Sequence, residues 1–326
     1  FLAPGQNIHR NALCGRNFEY FSEDPVVSGK ISAAYVNGIQ SQGIGATVKH
    51  FIANNQESNR DMVDVHANPR ALREIYLKGF EIALQESDPW ALMTSYNSVN
   101  GWFTQQNYEL VTNVLRDEWG WDGMVVTDWN SAGEMIAHGF SRDLKHTAKQ
   151  AINAGVDMDM MSYGFIQYAE ELVKEGKVSE KEIDRAVRNI LKLKFELGLF
   201  ENPYVDETLS AKVDYAPEHL AAAKQAALES AILLKNDNNV LPLDKAKTIL
   251  VTGPMADAPY EQMGTWTFDG QKEHTVTPLS ALRKEYNVIW EPGLTYSRDK
   301  NKSSFAKVRA AASRADAAVV FVGEEA

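Results

Sequence analysis

The chain carries a single cysteine, Cys14, in 326 residues. Neither an intrachain disulfide nor a cysteine-based zinc cage can therefore form. No apolar run approaches the ~18 residues that a membrane helix needs, so no span is expected. Basic residues are in the minority: 33 Lys and Arg stand against 44 Asp and Glu, for a net charge of −11. Nucleic acid and anionic membrane surfaces both select a basic face, and neither is expected as a partner. No glycine-rich phosphate loop is present and no His/Asp/Glu cluster has ligand spacing, so no metal and no cofactor are expected. An initiating Met and a visible signal peptide are also lacking. The chain opens on "FLAPGQNI", closes on "AAVVFVGEEA" and reads as an internal fragment.

What is present is a globular composition, 44% hydrophobic and 24% charged, with no disorder signature. Short apolar stretches at 45–51 ("GATVKHF"), 90–96 ("WALMTSY"), 124–129 and 156–161 ("VDMDMM") read as buried strands. Between and after them lie helical patterns at 69–85, 108–119, 143–154, 165–175 and 179–197. The last has Ser179 as N-cap, Glu182 three residues on, and Gly198 as its stop. Such alternation implies βαβ units and a parallel sheet. A Pro-containing stretch with little periodicity follows, and then the alternation resumes. Helices are predicted at 219–235, 278–285 and 305–314, and strands at 248–252, 288–290 and 317–322. The expected class is α/β, built as a TIM-like (β/α)8 barrel lacking its opening strands over residues 1–202. A linker over 203–218 and the first part of an α/β sandwich domain over 219–326 complete the organisation.

The barrel is preferred to a doubly wound sheet because polar residues collect at the same end of successive strands. Lys49 and His50 close one strand, Tyr96 and Asn97 the next, Asp128 and Trp129 the third. In a barrel those ends converge on one face, where active sites are built; a doubly wound sheet gathers ligands only at its switch point. Each residue also has a plain structural role open to it. Asp128 can cap the following helix, Lys49 and His50 can be a surface pair, Tyr96 a hydrogen-bonded core phenol, and Trp129 packing. If the set acts together, an aspartate beside cations and donors is held ionised and serves as nucleophile or base. Arg16, Lys49, His50 and Arg60 supply donors and Trp129 an apolar platform, the combination a polyhydroxylated sugar ring calls for. Asp157 and Asp159 alternate with Met in "GVDMDMMS" and read as loop anchors.

The stretches "NIHRNALCGRNFEYFSEDP", "TVKHFIANNQESNR", "ALREIYLKGFEIAL", "MTSYNSVNG", "LRDEWGWDGMVVTDW" and "GVDMDMM", in this order and spacing, resemble the family 3 glycoside hydrolases, specifically the β-glucosidase branch. The resemblance implies that Asp128 is the nucleophile of a retaining double displacement, with Trp129 beside the sugar. It implies that Lys49, His50 and Arg16 bind sugar hydroxyls and that Arg60, Met93 and Tyr96 line the same subsite. Trp266, in "GTWTFDG", falls on a second-domain loop that borders the site in the family. The leaving-group acid is expected beyond Ala326, in a segment beginning like "SGE", rather than at Glu324 or Glu325; an early aspartate is expected before Phe1. A branch with a histidine dyad carries a "KHFPGHG"-like loop, where this chain reads "KHFIANNQESNR".

The implied substrate is a small β-glucoside or oligosaccharide losing its terminal non-reducing glucosyl residue. A β-xylosidase, a broad-specificity β-glycosidase and a non-catalytic sugar-binding relative are the alternatives. A homodimer stays open, and a periplasmic or secreted location is favoured.

Overall fold

A computed structural model describes residues 1–325, which divide into two compact units, one over Phe1–Glu207 and one from Thr208 onward. Both are α/β.

In the first unit three parallel strands lie side by side in chain order: β1 (Thr47–Phe51), β2 (Ala91–Thr94) and β3 (Met124–Val126). Every residue in them is buried, as strands covered on both faces must be. Single parallel bridges extend the row at either side, Gly5 with Lys49 and Val126 with Met158. The stretch expected as a fourth strand at 156–161 is thus reduced to one bridge. Among the described residues no pairing joins the last segment back to the first. The register between β1 and β2 shifts between Val48 and Phe51.

Helices cover this sheet. Helix α1 (Pro25–Gln40) starts on a strong signal, with Asp24 accepting from the Val26 and Val27 N–H groups and Pro25 in the first turn. It packs against α2 (Lys78–Ser87) at close range. A Cβ built on Gly29 would lie 2.8 Å from the Gly79 carbonyl oxygen and 2.8 Å from Ile82 Cβ. The single helix expected over 69–85 is three pieces: Pro69–Ala71, a π-helical stretch at Leu72–Tyr76, and α2. The helix expected at 108–119 is likewise π-helical over Glu109–Glu118. The core between helices and sheet is built from Val36, Val48, Phe51, Leu77, Phe80, Leu92 and Val125, with their apolar neighbours. The rings of Phe51 and Phe80 meet edge to face at 5.3 Å.

The far end of the unit is closed by helix α3 (Glu180–Glu196). Its cap is the predicted one, Ser179 Oγ accepting from the Glu182 N–H, and Gly198 leaves the helix at φ 65°. Between the sheet and α3 sits a buried ion cluster. Asp157 accepts from Arg116 at 2.8 Å, the Val125 N–H at 2.8 Å and Asn189 at 3.1 Å, and it is also paired with Arg185. Asp157 is an anchor, as its pattern implied, and Asp159 is another, accepting from the Gly164 N–H at 2.7 Å.

The second unit contains three parallel strands, β4 (Thr248–Thr252), β5 (Asn287–Trp290) and β6 (Ala317–Val320), with β4 in the middle. Leu279, Ile249, Val251 and Ala256 form its core. The helix expected at 219–235 runs instead over Pro217–Ser230, and Ile232, Leu233 and Leu234 beyond it are exposed. The apolar residues that extended the periodic pattern to 235 find no helix face to pack against. Among the described residues no helix is long and apolar enough to cross a membrane.

Candidate active site

Asp128 follows β3 directly, and its carboxylate is almost wholly buried. It does not cap the next helix. Oδ1 accepts from the Trp129 N–H at 2.7 Å, while the helix Ser131–Ala137 begins after Asn130, which stands in the left-handed region at φ 55°. Oδ2 points at the imidazole of His50, 3.5 Å from Nε2. His50 sits at the end of β1 with no solvent exposure, and Asn7 clamps it by accepting its N–H and donating to its carbonyl, each at 2.9 Å.

Around this pair runs a chain of alternating charges. Glu19 accepts from Arg16 Nε at 2.5 Å and lies 3.3 Å from Lys49 Nζ. Glu57 lies 3.3 Å from Arg60 and 4.0 Å from Arg16. The Arg60 guanidinium lies 4.0 Å over the Tyr96 ring, and the Tyr96 hydroxyl donates to the Trp129 carbonyl at 2.6 Å. The structure therefore brings Arg16, Lys49, His50, Arg60, Tyr96 and Asp128 into one connected cluster, with Trp129 attached through its backbone and its ring more than half exposed. Met93 is placed differently: it is buried in an apolar group with Ala91, Met124 and Val126, against Met160. Trp266 belongs to the second unit, where its ring lies 6.1 Å from that of Phe268. Glu325, also in that unit, accepts from the Ser297 N–H at 2.9 Å.

The electrostatics differ from the sequence expectation at one point. Burial pushes the Asp128 carboxyl above its ordinary value, and it outweighs the Trp129 N–H and the cations Arg16, Lys49 and Arg60, which pull the other way. The expectation counted the cations and not the desolvation. Burial likewise drives His50 well below the ordinary imidazole value, with Arg16, Lys49 and Arg60 adding to it, so the ring is neutral at neutral pH. Tyr96 is pushed up, first by burial and then by Asp128. It remains a phenol and a donor.

Four further residues have no counterpart among the predicted ones: Glu19, Glu57, Tyr20 and Asn54. Glu19 carried a usable signal, standing three residues after Arg16 in "GRNFE". Glu57 carried the same kind of signal, three residues before Arg60, whereas Tyr20 and Asn54 become visible only through contacts across the fold. Among the described residues no group of three or more His, Cys, Asp or Glu is arranged to hold a metal ion.

Strand-end carboxylate, buried neutral imidazole and charge-balanced donors together define a polar pocket chemistry suited to a neutral, hydroxyl-rich ligand. The family model of the glycosyl hydrolase family 3 N terminal domain matches residues 1–193, and that of the family 3 C-terminal domain matches residues 231–326. The chain belongs to glycosyl hydrolase family 3. It is 39% identical to the thermostable beta-glucosidase B of Acetivibrio thermocellus, over 99% of this chain and 41% of that protein. It is 35% identical to an exo-alpha-(1->6)-L-arabinopyranosidase of Bifidobacterium breve, again over 99% and 41%. The structure of a beta-glucosidase from Listeria innocua in complex with glucose superposes with a TM-score of 0.90 at 32% identity, over 99% of this chain and 46% of that one. The chain thus spans somewhat less than half the length of the relatives it matches.

Proposed function

We propose that the protein containing this chain is a retaining β-glucosidase that removes terminal non-reducing β-D-glucosyl residues, with Asp128 as its nucleophile. The observation that carries the reading is the state of the Asp128 carboxylate. It is buried at a strand end, held through Oδ1 by the Trp129 N–H, with Oδ2 3.5 Å from the His50 imidazole and, among the described residues, not hydrogen-bonded. In a double displacement Oδ2 attacks the anomeric carbon while a carboxylic acid protonates the departing oxygen. Water then releases the glycosyl-enzyme, with the same acid acting as base. The acid expected past Ala326 lies outside the described residues.

Arg16, Lys49, His50 and Arg60 bind the sugar hydroxyls in this reading, and Trp129 and Tyr96 border the ring. Met93 lines the subsite wall from its apolar group. The charge chain suits the reaction for a physical reason. The transition state is oxocarbenium-like and positive, so bare cations beside it would oppose it. Glu19 and Glu57 offset two of the three positive charges of Arg16, Lys49 and Arg60, and the ionised Asp128 balances the third. The N–H groups of these cations can still grip hydroxyls without adding net positive charge.

The fold proposed is a (β/α)8 barrel of which residues 1–202 lack the opening strands, a linker over 203–218 and the first part of an α/β sandwich domain over 219–326. The strand segments that pair strictly in chain order, without a switch point, support a barrel over a doubly wound sheet. The arabinopyranosidase relative keeps a second reading in view, a glycosidase acting on pentopyranosides such as β-xylosides. Turnover of nitrophenyl β-glucoside and β-xyloside by the full-length protein separates the two. The account predicts higher kcat/KM for the glucoside and a loss on the order of 10⁴-fold in Asp128→Ala. Full activity in that variant excludes Asp128 as nucleophile.

A further inference from the structure

We infer that Tyr20 is a positioning residue that fixes His50 in the Nε2–H tautomer, so that the imidazole presents a donor rather than a lone pair to the Asp128 carboxylate. The inference rests on the proposed role of Asp128 for its catalytic meaning, but its structural content is independent of that role.

One group in the cluster has a fixed hydrogen-bonding sense. Glu57 is paired with Arg60 and, as a carboxylate, can only accept. Asn54 therefore turns its NH2 toward Glu57 Oε1, at 3.1 Å. The same Nδ2 lies 3.1 Å from the Tyr20 hydroxyl, which must accept the second amide hydrogen. The phenol then has its own proton to place, and His50 Nδ1, 3.2 Å away, is its acceptor among the described residues. An imidazole that accepts at Nδ1 and is neutral carries its single proton at Nε2. That proton lies on the side of Asp128 Oδ2, which is 3.5 Å from Nε2; the contact is electrostatic, since among the described residues neither atom has a hydrogen-bond partner.

The opposite tautomer would place its Nδ1 proton on Asn7 Oδ1, 3.3 Å away, which already accepts the His50 N–H, or on the Tyr20 oxygen, 3.2 Å away, which already accepts from Asn54. Either choice would strand the buried Tyr20 proton and set a nitrogen lone pair against a carboxylate, and both arrangements are unfavourable in a dry interior. The site is also built to admit the ring. A Cβ on Gly5 would come within 3.0 Å of Tyr20 Cε1 and 3.1 Å of Cδ1, so a bare backbone there leaves the space Tyr20 occupies. Burial pushes the Tyr20 phenol well above its ordinary value, which keeps it protonated as the relay requires.

The direct test is neutron diffraction from deuterium-exchanged crystals of the full-length protein. Nuclear density for deuterium on His50 Nε2, with the Tyr20 deuteron directed at Nδ1, is the expected result; deuterium on Nδ1 overturns the inference. The second measurement is Tyr20→Phe, which keeps the ring and deletes the donor. With a nitrophenyl β-glucoside, kcat should fall about 10–100-fold, as when the partner that orients a functional histidine is removed, while KM changes less than about threefold. A folded variant with unchanged kcat overturns the positioning role. If the variant does not fold, the parent nuclear map still decides. Deuterium on Nδ1 would sink this inference and leave the nucleophile reading intact, whereas full activity in Asp128→Ala would do the reverse.

Discussion

Asp128 is held between two opposing influences, and the balance sets where it titrates. Desolvation raises its proton affinity while Arg16, Lys49, Arg60 and the Trp129 N–H lower it, with desolvation ahead. In the proposed mechanism the ionised form is the nucleophile, so activity should be lost as pH falls through the folded-state value. The acid limb of kcat/KM, which reports the free enzyme, should lie above the ordinary aspartate value of 3.8; a limb at or below it contradicts the burial argument. The same shift has a stability consequence. A carboxyl whose folded value is raised holds its proton more tightly when folded, so its ionisation costs stability as pH rises above 3.8. Asp128→Asn should therefore melt at a higher temperature than the parent at neutral pH while losing activity, a trade common at active sites. His50 works in the other direction on the pH axis. Its folded value lies well below 6.5, so the unfolded chain binds the extra proton and stability is lost as pH falls below 6.5. At this scale the sequence made the strand-end residues legible through their shared position. Tyr20 and Asn54 were not legible, because hydrogen-bond partners across 30 or more residues, such as His50 for Tyr20 and Tyr20 for Asn54, leave no local pattern.

The elements most visible in the sequence were those with strong apolar contrast or capping chemistry: β1, β2, β3 and α3. Helix α1 was the largest omission, and its composition explains why. Its buried face is Ser28, Gly29, Ser32, Ala33 and Val36, small residues that give almost no hydrophobic periodicity. They are small because α1 crosses α2 backbone to backbone at Gly29. Gly29→Ala should destabilise the protein by about 1–3 kcal/mol, the usual cost of overpacking a close contact, measured by denaturant unfolding with unchanged slope. A cost near zero would mean the two helices can separate freely. The buried cluster linking β3 to α3 gives a second prediction. Asp157→Ala removes the carboxylate shared by Arg116 and Arg185 and leaves Arg185 with Glu182 alone, which should cost roughly 3–5 kcal/mol. Asp157→Asn, which keeps part of the hydrogen bonding, should cost less.

For the whole molecule, α/β alternation was legible from the chain because buried parallel strands and amphipathic helices leave opposite periodicities. Closure of the first sheet was not, since strand pairing depends on segments far apart in sequence, and the described pairings form an open row. The excess of acidic residues also belongs to this scale. With a net charge of −11, the protein lacks the general basic field that draws polyanions, and a ligand recognised by paired, neutralised donors fits that surface better than a charged one. The central claim is that Asp128 forms a covalent bond to the sugar, and trapping measures it most directly. Full-length protein incubated with an activated 2-deoxy-2-fluoro-β-glucoside, digested and mapped by mass spectrometry, should carry the fluoroglucosyl group on the peptide containing "TDWN", at Asp128. Attachment to any other carboxylate, with Asp128 unmodified, would contradict the account.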